Sequence, residues 1–116
     1  GYPDDIAKKI EKAKQTKGPS YIQILSPCIP GWKIEPHQSI EVAKKAVETG
    51  LYPVVEYENG ELTNAKKVGK NPPKVEEYLK IQGRFKHLFQ DKKGKKQIEY
   101  LQSIADDNIE TLRLKQ

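Results

Sequence analysis

The sequence has very few of the residues that cross-link a chain or anchor it in a membrane. It contains one cysteine, Cys28, and no methionine among 116 residues. A single cysteine excludes an internal disulfide framework and any zinc site that is built from several thiolates. No apolar run approaches the ~20 residues of a membrane-spanning helix, and the chain does not open on a secretory signal. The sequence therefore predicts a soluble protein and, since it starts at Gly1 and lacks methionine, a piece of a longer polypeptide.

Apolar residues are also scarce, whereas charged residues are plentiful. Hydrophobic residues make up 35% of the chain and charged residues 32%, with a mean hydropathy of -0.81. The length suits one domain, which can bury roughly 65% of its unfolded surface. Lys and Arg (21) exceed Asp and Glu (16), a balance that suits nucleic acid or an acidic partner without requiring either. Most lysines are scattered, and the one cluster, residues 91–96, is predicted to be a solvated turn around Gly94.

The first half of the chain is predicted to alternate between helix and strand. Apolar residues recur at helical spacing within residues 4–17, and Gly18 ends that pattern. A second helix is predicted over residues 39–49, with Gly50 as its C-terminal stop. Between them, residues 20–27 carry apolar side chains on both faces, which predicts a strand covered on both sides. A helix followed by such a strand is half of a βαβ unit, so we expect an α/β fold with this strand at the centre of a mainly parallel sheet.

A hairpin is predicted next. Asn59 and Gly60 form the strongest short hairpin signal, and they separate predicted strands at residues 52–58 and about 62–67. Pro53 lacks an N–H donor, which places the first stretch at a sheet edge or at the beginning of a strand.

The last third is predicted to be helical. A helix from Val75 is interrupted at Gly83, and a long amphipathic helix follows with an apolar stripe of Ile98, Leu101, Ile109 and Leu112. We expect this stripe to pack across another segment or a subunit, because it needs a covering surface, and we predict that residues from about Val75 onward pack outward against a partner subunit. The sequence thus predicts an α/β part at residues 1–71 and a helical C-terminal extension at residues 72–116.

Cys28 lies in a segment, residues 27–32, whose two prolines and glycine predict an irregular loop. A loop that follows a buried strand is where α/β folds place their ligands. Two interpretations of the thiol remain open from the residues alone. Free cysteine is most often a small buried apolar residue, and the alternative is a thiolate that ligates a metal or acts as a nucleophile.

Other candidates for chemistry are weak. A nucleophilic cysteine needs a histidine partner within hydrogen-bond reach, but His37 and His87 are interpreted as a surface or capping residue and as part of a helix face. Trp32, the only tryptophan, either anchors the loop or lines a site. No glycine-rich phosphate loop, carboxylate pair or Cys-x-x-Cys is present, and no catalytic residue is assigned.

Four stretches of the sequence resemble the β subunits of pyruvate:ferredoxin oxidoreductases, in the 2-oxoacid:ferredoxin oxidoreductase family. They read GPSYIQILSPCIPGW at 18–32, SIEVAKKAVETG at 39–50, YPVVEYENG at 52–60 and VEEYLKIQGRFKHL at 75–88. The resemblance covers nearly the whole chain and is least specific in the last helix. In that family this stretch is the C-terminal part of a longer subunit, whose upstream part carries the thiamin diphosphate motif, the magnesium ligands and further cysteines.

The resemblance implies a metal-ligand role for Cys28. In the family, the cysteine of this loop is the fourth ligand of a 4Fe-4S cluster, beside three upstream cysteines, and such clusters are held by four thiolates. It also implies that residues 1–71 complete a thiamin diphosphate-binding fold. No thiamin or Mg²⁺ contact is carried over to any residue of this chain.

The implied activity is the coenzyme A-dependent oxidative decarboxylation of a 2-oxoacid, pyruvate first of all, or its reverse. Electrons pass to ferredoxin, and the other subunits of the enzyme are partners. The resemblance also implies a cytoplasmic enzyme of anaerobic metabolism. The isolated chain is expected to be inactive, without cofactors and with a free thiol at Cys28. Two alternatives are a stand-alone structural subunit and a basic nucleic-acid-binding module, and the scattered lysines argue against the second.

Overall fold

Helices dominate the chain in the computed structural model, which describes residues 1–116. None of the helices combines the length and the apolar character that crossing a membrane requires. The elements in chain order are α1 (Pro3–Gln15), α2 (Ile29–Trp32), a 3₁₀ turn (Pro36–Gln38), α3 (Ser39–Glu48), β1 (Val55–Glu58), β2 (Glu61–Ala65), α4 (Val75–Lys80), a 3₁₀ segment (Gly83–Phe89) and α5 (Lys92–Thr111).

The predicted helices over residues 4–17 and 39–49 are confirmed as α1 and α3. The helix that begins at Val75 is confirmed as α4, and the interruption at Gly83 marks the change from α4 to the 3₁₀ segment. Each of these boundaries follows from local sequence signals, such as a terminal glycine or an apolar repeat.

The core lies where α3, α4 and α5 meet. Apolar residues at helical spacing give each helix one buried face, and these faces meet each other. The main cluster of buried side chains is Ile34, Val42, Ala46, Val75, Tyr78, Leu79, Leu88 and Ala105. A second, smaller cluster consists of Val68, Ile109 and Leu114, which join the end of α5 to the segment after the hairpin. Residues on both sides of the predicted boundary at 71/72 share the main cluster, and the division into two parts stays a prediction.

Gly50 allows α5 to approach the end of α3. Its φ of +80° lies in the left-handed region that favours glycine, and a Cβ at this position would lie 2.6 Å from Cγ1 of Ile109. The carbonyl oxygen of Gly50 accepts a hydrogen bond from the side chain of Asn108 at 3.0 Å. The carbonyl end of α3 is therefore capped by α5 as well as by its own glycine.

The lysine-rich run at residues 91–96 is not a solvated turn, contrary to the prediction. Asp91 caps α5, since its carboxylate accepts a hydrogen bond from the N–H of Gly94 at 2.7 Å. Gly94 is buried, and a Cβ there would lie 2.2 Å from the carbonyl oxygen of Leu88. The glycine therefore serves the close packing of a helix against the preceding segment.

The apolar stripe of the last helix is covered by other segments of this chain, as one of the two predicted alternatives has it, and the prediction that these four side chains face a partner subunit is wrong. Ile98 and Leu101 pack against the main cluster, whereas Ile109 and Leu112 belong to or contact the second cluster. The physical reason is that α3 and α4 offer apolar faces of their own, which periodicity in α5 alone does not reveal.

The predicted hairpin is confirmed, with shorter strands. Asn59 and Gly60 have φ of 52° and 83°, as the tight turn requires, and β1 pairs with β2 antiparallel. α1 is tied to this hairpin through Glu56, which binds the ammonium groups of Lys12 and Lys9, the latter at 3.3 Å. The hydrogen bond from Lys12, with help from Asn64 and Lys9, holds the pKa of Glu56 below its ordinary value, so the carboxylate stays ionised.

The predicted central strand at residues 20–27 does not form in this chain. The segment has no regular secondary structure, and Tyr21 and Ile24 are 86% and 53% exposed. A mainly parallel sheet does not form within this chain either, because its only sheet is the two-stranded antiparallel hairpin. A strand needs a neighbour for its N–H and C=O groups, and the only other strands of the chain already pair with each other.

Gly94→Ala is expected to destabilise the chain by about 1–3 kcal/mol, the usual cost of overpacking. The gain in helix propensity, about 1 kcal/mol, does not offset a contact with the backbone of Leu88. Urea unfolding followed by circular dichroism measures the difference. Gly69→Ala is the matched control, since no atom lies within 4 Å of a Cβ there. Equal unfolding midpoints for the two variants would contradict the close approach.

Candidate metal centre

Cys28 stands at the head of a single helical turn. Its backbone is extended (φ -105°, ψ 106°), and its carbonyl oxygen accepts a hydrogen bond from the N–H of Trp32 at 2.8 Å. Pro30 lies in the first turn of α2, where the missing N–H would have no partner in any case. The prediction of a wholly irregular loop is therefore wrong, because prolines in a first turn are compatible with a helix.

The thiol of Cys28 is exposed and is the only free cysteine. Its Sγ lies beside Gly31, where a Cβ would be 3.0 Å from the sulfur. A residue with a side chain at position 31 would crowd the thiol, so glycine leaves one side of the sulfur open. The interpretation of Cys28 as a buried core residue is contradicted by this exposure.

The end of α2 is fixed against the 3₁₀ segment that follows α4. Lys33 adopts a left-handed conformation (φ 53°) and ends the turn. Its carbonyl oxygen accepts a hydrogen bond from the N–H of Gly83 at 3.0 Å. A Cβ at Gly83 would lie 2.7 Å from the Cβ of Lys33. Glycine at position 83 thus permits the two backbones to come together.

Side chains reinforce this contact through a stack that sequence reasoning missed. The guanidinium carbon of Arg84 lies 4.0 Å from the ring centroid of Trp32 and 4.5 Å from that of Phe85. We call these three side chains the Trp32–Arg84–Phe85 stack. An arginine over aromatic faces is a favourable cation–π arrangement. The sequence signal, an Arg-Phe pair after Gly83, does not identify Trp32 as the partner.

Buried polar groups hold the arginine in place. Nε of Arg84 donates to Oε1 of Gln82 at 2.7 Å, and Nη2 lies 3.3 Å from the hydroxyl of Tyr78. Gln82 is only 1% exposed, and its amide nitrogen donates to the backbone oxygen of Tyr78 at 2.8 Å. Because the amide and the phenol are themselves buried and satisfied, they give the guanidinium a fixed position.

The side chains of this chain do not form a complete metal site around Cys28. No group of three or more His, Cys, Asp and Glu side chains is close enough to hold a metal ion. His37 is exposed on the first 3₁₀ turn, as predicted. His87 is exposed on the 3₁₀ segment Gly83–Phe89, and not on the face of an amphipathic α-helix as predicted. An iron–sulfur cluster needs four thiolates, so this chain fits such a cluster as the donor of one ligand, with an exposed sulfur and open space beside it.

A groove of the chain lies away from the Cys28 loop. It has a volume of about 700 Å³ and runs between residues 70–74 and the C-terminal half of α5. Its lining includes one hydrophobic residue, Ile109, among lysines, an arginine and two carboxylates. Charges of both signs and a nearly polar lining differ from the apolar, concave sites that small ligands prefer, so the groove does not compete with the Cys28 loop as a candidate site.

Cys28 is expected to react fully with a small aromatic disulfide reagent in native buffer, because its side chain is exposed. The number of thiols titrated, one per chain, should be the same in native buffer and in denaturant. Cys28→Ser provides the blank. A thiol that reacts only after unfolding would contradict the exposed position.

Comparison with known proteins gives no matching family model but several curated relatives. Pyruvate synthase subunit PorB of Methanosarcina barkeri is 48% identical over 114 residues, which are 98% of this chain and 38% of the relative. PorB of Methanocaldococcus jannaschii is 42% identical over 97% of this chain and 36% of its own length. Ketoisovalerate oxidoreductase subunit VorB of Pyrococcus furiosus is also 42% identical, over 97% of this chain and 35% of its own length.

The chain therefore spans little more than a third of the length of these relatives. Two differently named oxidoreductases match it almost equally well, so the similarity identifies the kind of subunit before it identifies a substrate. The resemblance seen in the sequence is confirmed at identities of 42–48% over nearly every residue. The chain belongs to the family of the β subunits of pyruvate synthase and ketoisovalerate oxidoreductase, as a partial segment of such a subunit.

Proposed function

We propose that this chain is the C-terminal part of the β subunit of a pyruvate:ferredoxin oxidoreductase. The enzyme would couple the oxidative decarboxylation of pyruvate to coenzyme A and reduce ferredoxin, or run in reverse. The observation that carries this proposal is the 48% identity to a pyruvate synthase subunit over 98% of the chain. Pyruvate is chosen over ketoisovalerate on the 48% identity to the PorB of Methanosarcina barkeri alone, since the PorB of Methanocaldococcus jannaschii and the VorB of Pyrococcus furiosus are both 42% identical.

Cys28 is the proposed contribution of this chain to the electron path. It would be one thiolate ligand of a 4Fe-4S cluster, with three further cysteines supplied by the rest of the subunit. The exposed sulfur, the open side at Gly31 and the anchored α2 support this role. A cluster approaches closely and tolerates little movement of its ligands, so a short turn fixed at both ends suits it.

Thiamin diphosphate and Mg²⁺ belong to the proposed enzyme as well. When bound, thiamin supplies the electron sink for the carbanion that decarboxylation leaves. No residue of this chain is assigned to either group, and the proposed task of this part is to complete the protein fold around them. The complete enzyme is proposed to act in the cytoplasm, with its other subunits and ferredoxin as partners.

Residues 20–27 support the proposed thiamin diphosphate-binding fold. We propose that they join a parallel sheet whose other strands lie in the part of the subunit outside this chain. Their apolar side chains point to both faces by alternation, as in a strand that is covered on both sides. Their exposure here fits a chain that covers 38% of its pyruvate synthase relative.

The complete enzyme, with this chain in its β subunit, is expected to reduce ferredoxin with pyruvate and coenzyme A. 2-Ketoisovalerate should be a poorer substrate by at least about tenfold in kcat/KM, since added methyl groups in a fitted pocket typically change rates by that factor or more. Spectrophotometric ferredoxin reduction with each 2-oxoacid measures the ratio. A preference for 2-ketoisovalerate would overturn the choice of substrate, and failure with every 2-oxoacid would overturn the proposed function.

Cys28→Ser in the complete enzyme is expected to lower the iron content and remove one cluster signal from the electron paramagnetic resonance spectrum. The hydroxyl is a poor substitute for a thiolate at an iron–sulfur cluster. Ser26→Ala, an exposed position two residues away, is the matched control and should retain the full signal. Full iron and an unchanged spectrum in Cys28→Ser would refute the ligand assignment.

A further inference from the structure

We propose that Arg84 is a positioning residue for Cys28, acting through the Trp32–Arg84–Phe85 stack. This inference rests on the proposed function, because it concerns the geometry of the cluster ligand. Arg84 itself donates no ligand and touches no reacting group. Its task is to keep α2 in one place, so that the sulfur of Cys28 is presented in one orientation.

The contacts of Arg84 are unusual for a cation. It forms none of the six ion pairs of the chain, each of which joins a lysine to a carboxylate. Its partners are instead two aromatic rings, the amide of Gln82 and the hydroxyl of Tyr78. These contacts depend on the planar shape and the fixed donor positions of a guanidinium as well as on its charge. Arg84 is therefore placed for geometry, and an ion pair does not explain its position.

The mechanical route from Arg84 to Cys28 is short. Trp32 lies one helical turn after Cys28, and its backbone N–H donates a hydrogen bond to the carbonyl oxygen of Cys28 at 2.8 Å. The indole is half-buried and packs against the main cluster, with the guanidinium on its ring. Held on both faces, the indole restrains the backbone of the single-turn α2, which has no second turn to stabilise it.

The backbone contact between Gly83 and Lys33 sets the distance between the two segments but leaves α2 free to pivot about it. A single hydrogen bond at 3.0 Å defines one point. Ile34, the second residue after α2, is buried in the main cluster and supplies a second point of attachment. The Trp32–Arg84–Phe85 stack supplies a third. Two points would leave rotation about the line that joins them, so the third attachment at Arg84 is the one that holds the orientation of the turn.

The test uses the complete enzyme and three variants of this chain. Arg84→Gln removes both the charge and the planar fork, whereas Arg84→Lys keeps the charge but cannot stack or donate to Gln82 and Tyr78 in the same way. Lys86→Gln is the matched control, because Lys86 is exposed on the same 3₁₀ segment and has no ion pair, side-chain hydrogen bond or ring contact. The measured cluster is the one whose paramagnetic signal Cys28→Ser removes.

Arg84→Gln is expected to speed the extraction of iron from that cluster by a ferrous chelator about tenfold, the low end of the effect of losing a residue that orients a metal ligand. Its paramagnetic signal should broaden, because a loosely held ligand samples several geometries. Arg84→Lys should lie closer to Arg84→Gln than to the unmodified enzyme, and Lys86→Gln should match the unmodified enzyme. The line shape separates positioning from a general loss of stability, which would remove signal without broadening it.

The failures of the two proposals are distinguishable. If Cys28→Ser removes the signal while Arg84→Gln and Lys86→Gln behave alike, the positioning role is overturned and the ligand role stands. If Cys28→Ser leaves every signal intact, the proposed ligand role itself fails. If Arg84→Gln prevents assembly, Trp32→Phe replaces it in the test, because phenylalanine keeps an aromatic ring with a smaller face. Trp32→Phe should speed iron extraction and broaden the signal to a smaller extent than expected for Arg84→Gln. Unchanged extraction and an unchanged line shape in Trp32→Phe would overturn the inference.

Discussion

The approach of α5 to the rest of the chain is the constraint on which the fold depends. α5 contacts the end of α3 at Gly50, and its own Gly94 contacts Leu88 in the 3₁₀ segment that precedes α5. At both glycines a Cβ would lie closer than 3 Å to another atom. These two glycines bring Ala105 and Ile109 into contact with buried side chains of other elements. In a chain with so few apolar residues, dispersion contacts at such short range are what make a small core sufficient.

The Cys28 loop is connected to that core through α4 and Arg84. α4 is held between α3 and α5, and Tyr78 on α4 contributes both its ring to the core and its hydroxyl to Arg84. Lys45 and Glu77, paired at 2.8 Å, add an electrostatic link between α3 and α4 at the surface. The hydrogen bond from Lys45 lowers the pKa of Glu77, which keeps this link charged at neutral pH. The loop is thereby attached to the most tightly packed part of the molecule.

Local sequence patterns are sufficient to predict the elements whose backbone hydrogen bonds join residues close in sequence. α1, α3, the turn at Asn59 and Gly60 and the beginning of α4 follow from spacing and terminal residues. The beginning of α5 did not follow, since a lysine-rich run with a glycine is typical of solvated turns, and only the packing on Leu88 shows why glycine is there. The ligand role of Cys28 is predicted from the resemblance to a family, whereas the contacts around its loop are known only from the structure. Trp32 and Arg84 lie far apart in the sequence, and no short-range rule joins them.

The segment between α1 and α2 has a consequence for handling the protein. Residues 18–28 carry no charged side chain, in a chain where charged residues make up 32%, and several of their apolar side chains are exposed. An apolar, uncharged stretch with free backbone groups is the pattern that recruits strands from neighbouring molecules. Pro19 and Pro27 bracket it, and a proline at each end limits how far such a strand can extend. The same stretch that the proposal assigns to an internal sheet is thus the self-association hazard of the separated chain, confined by its own prolines.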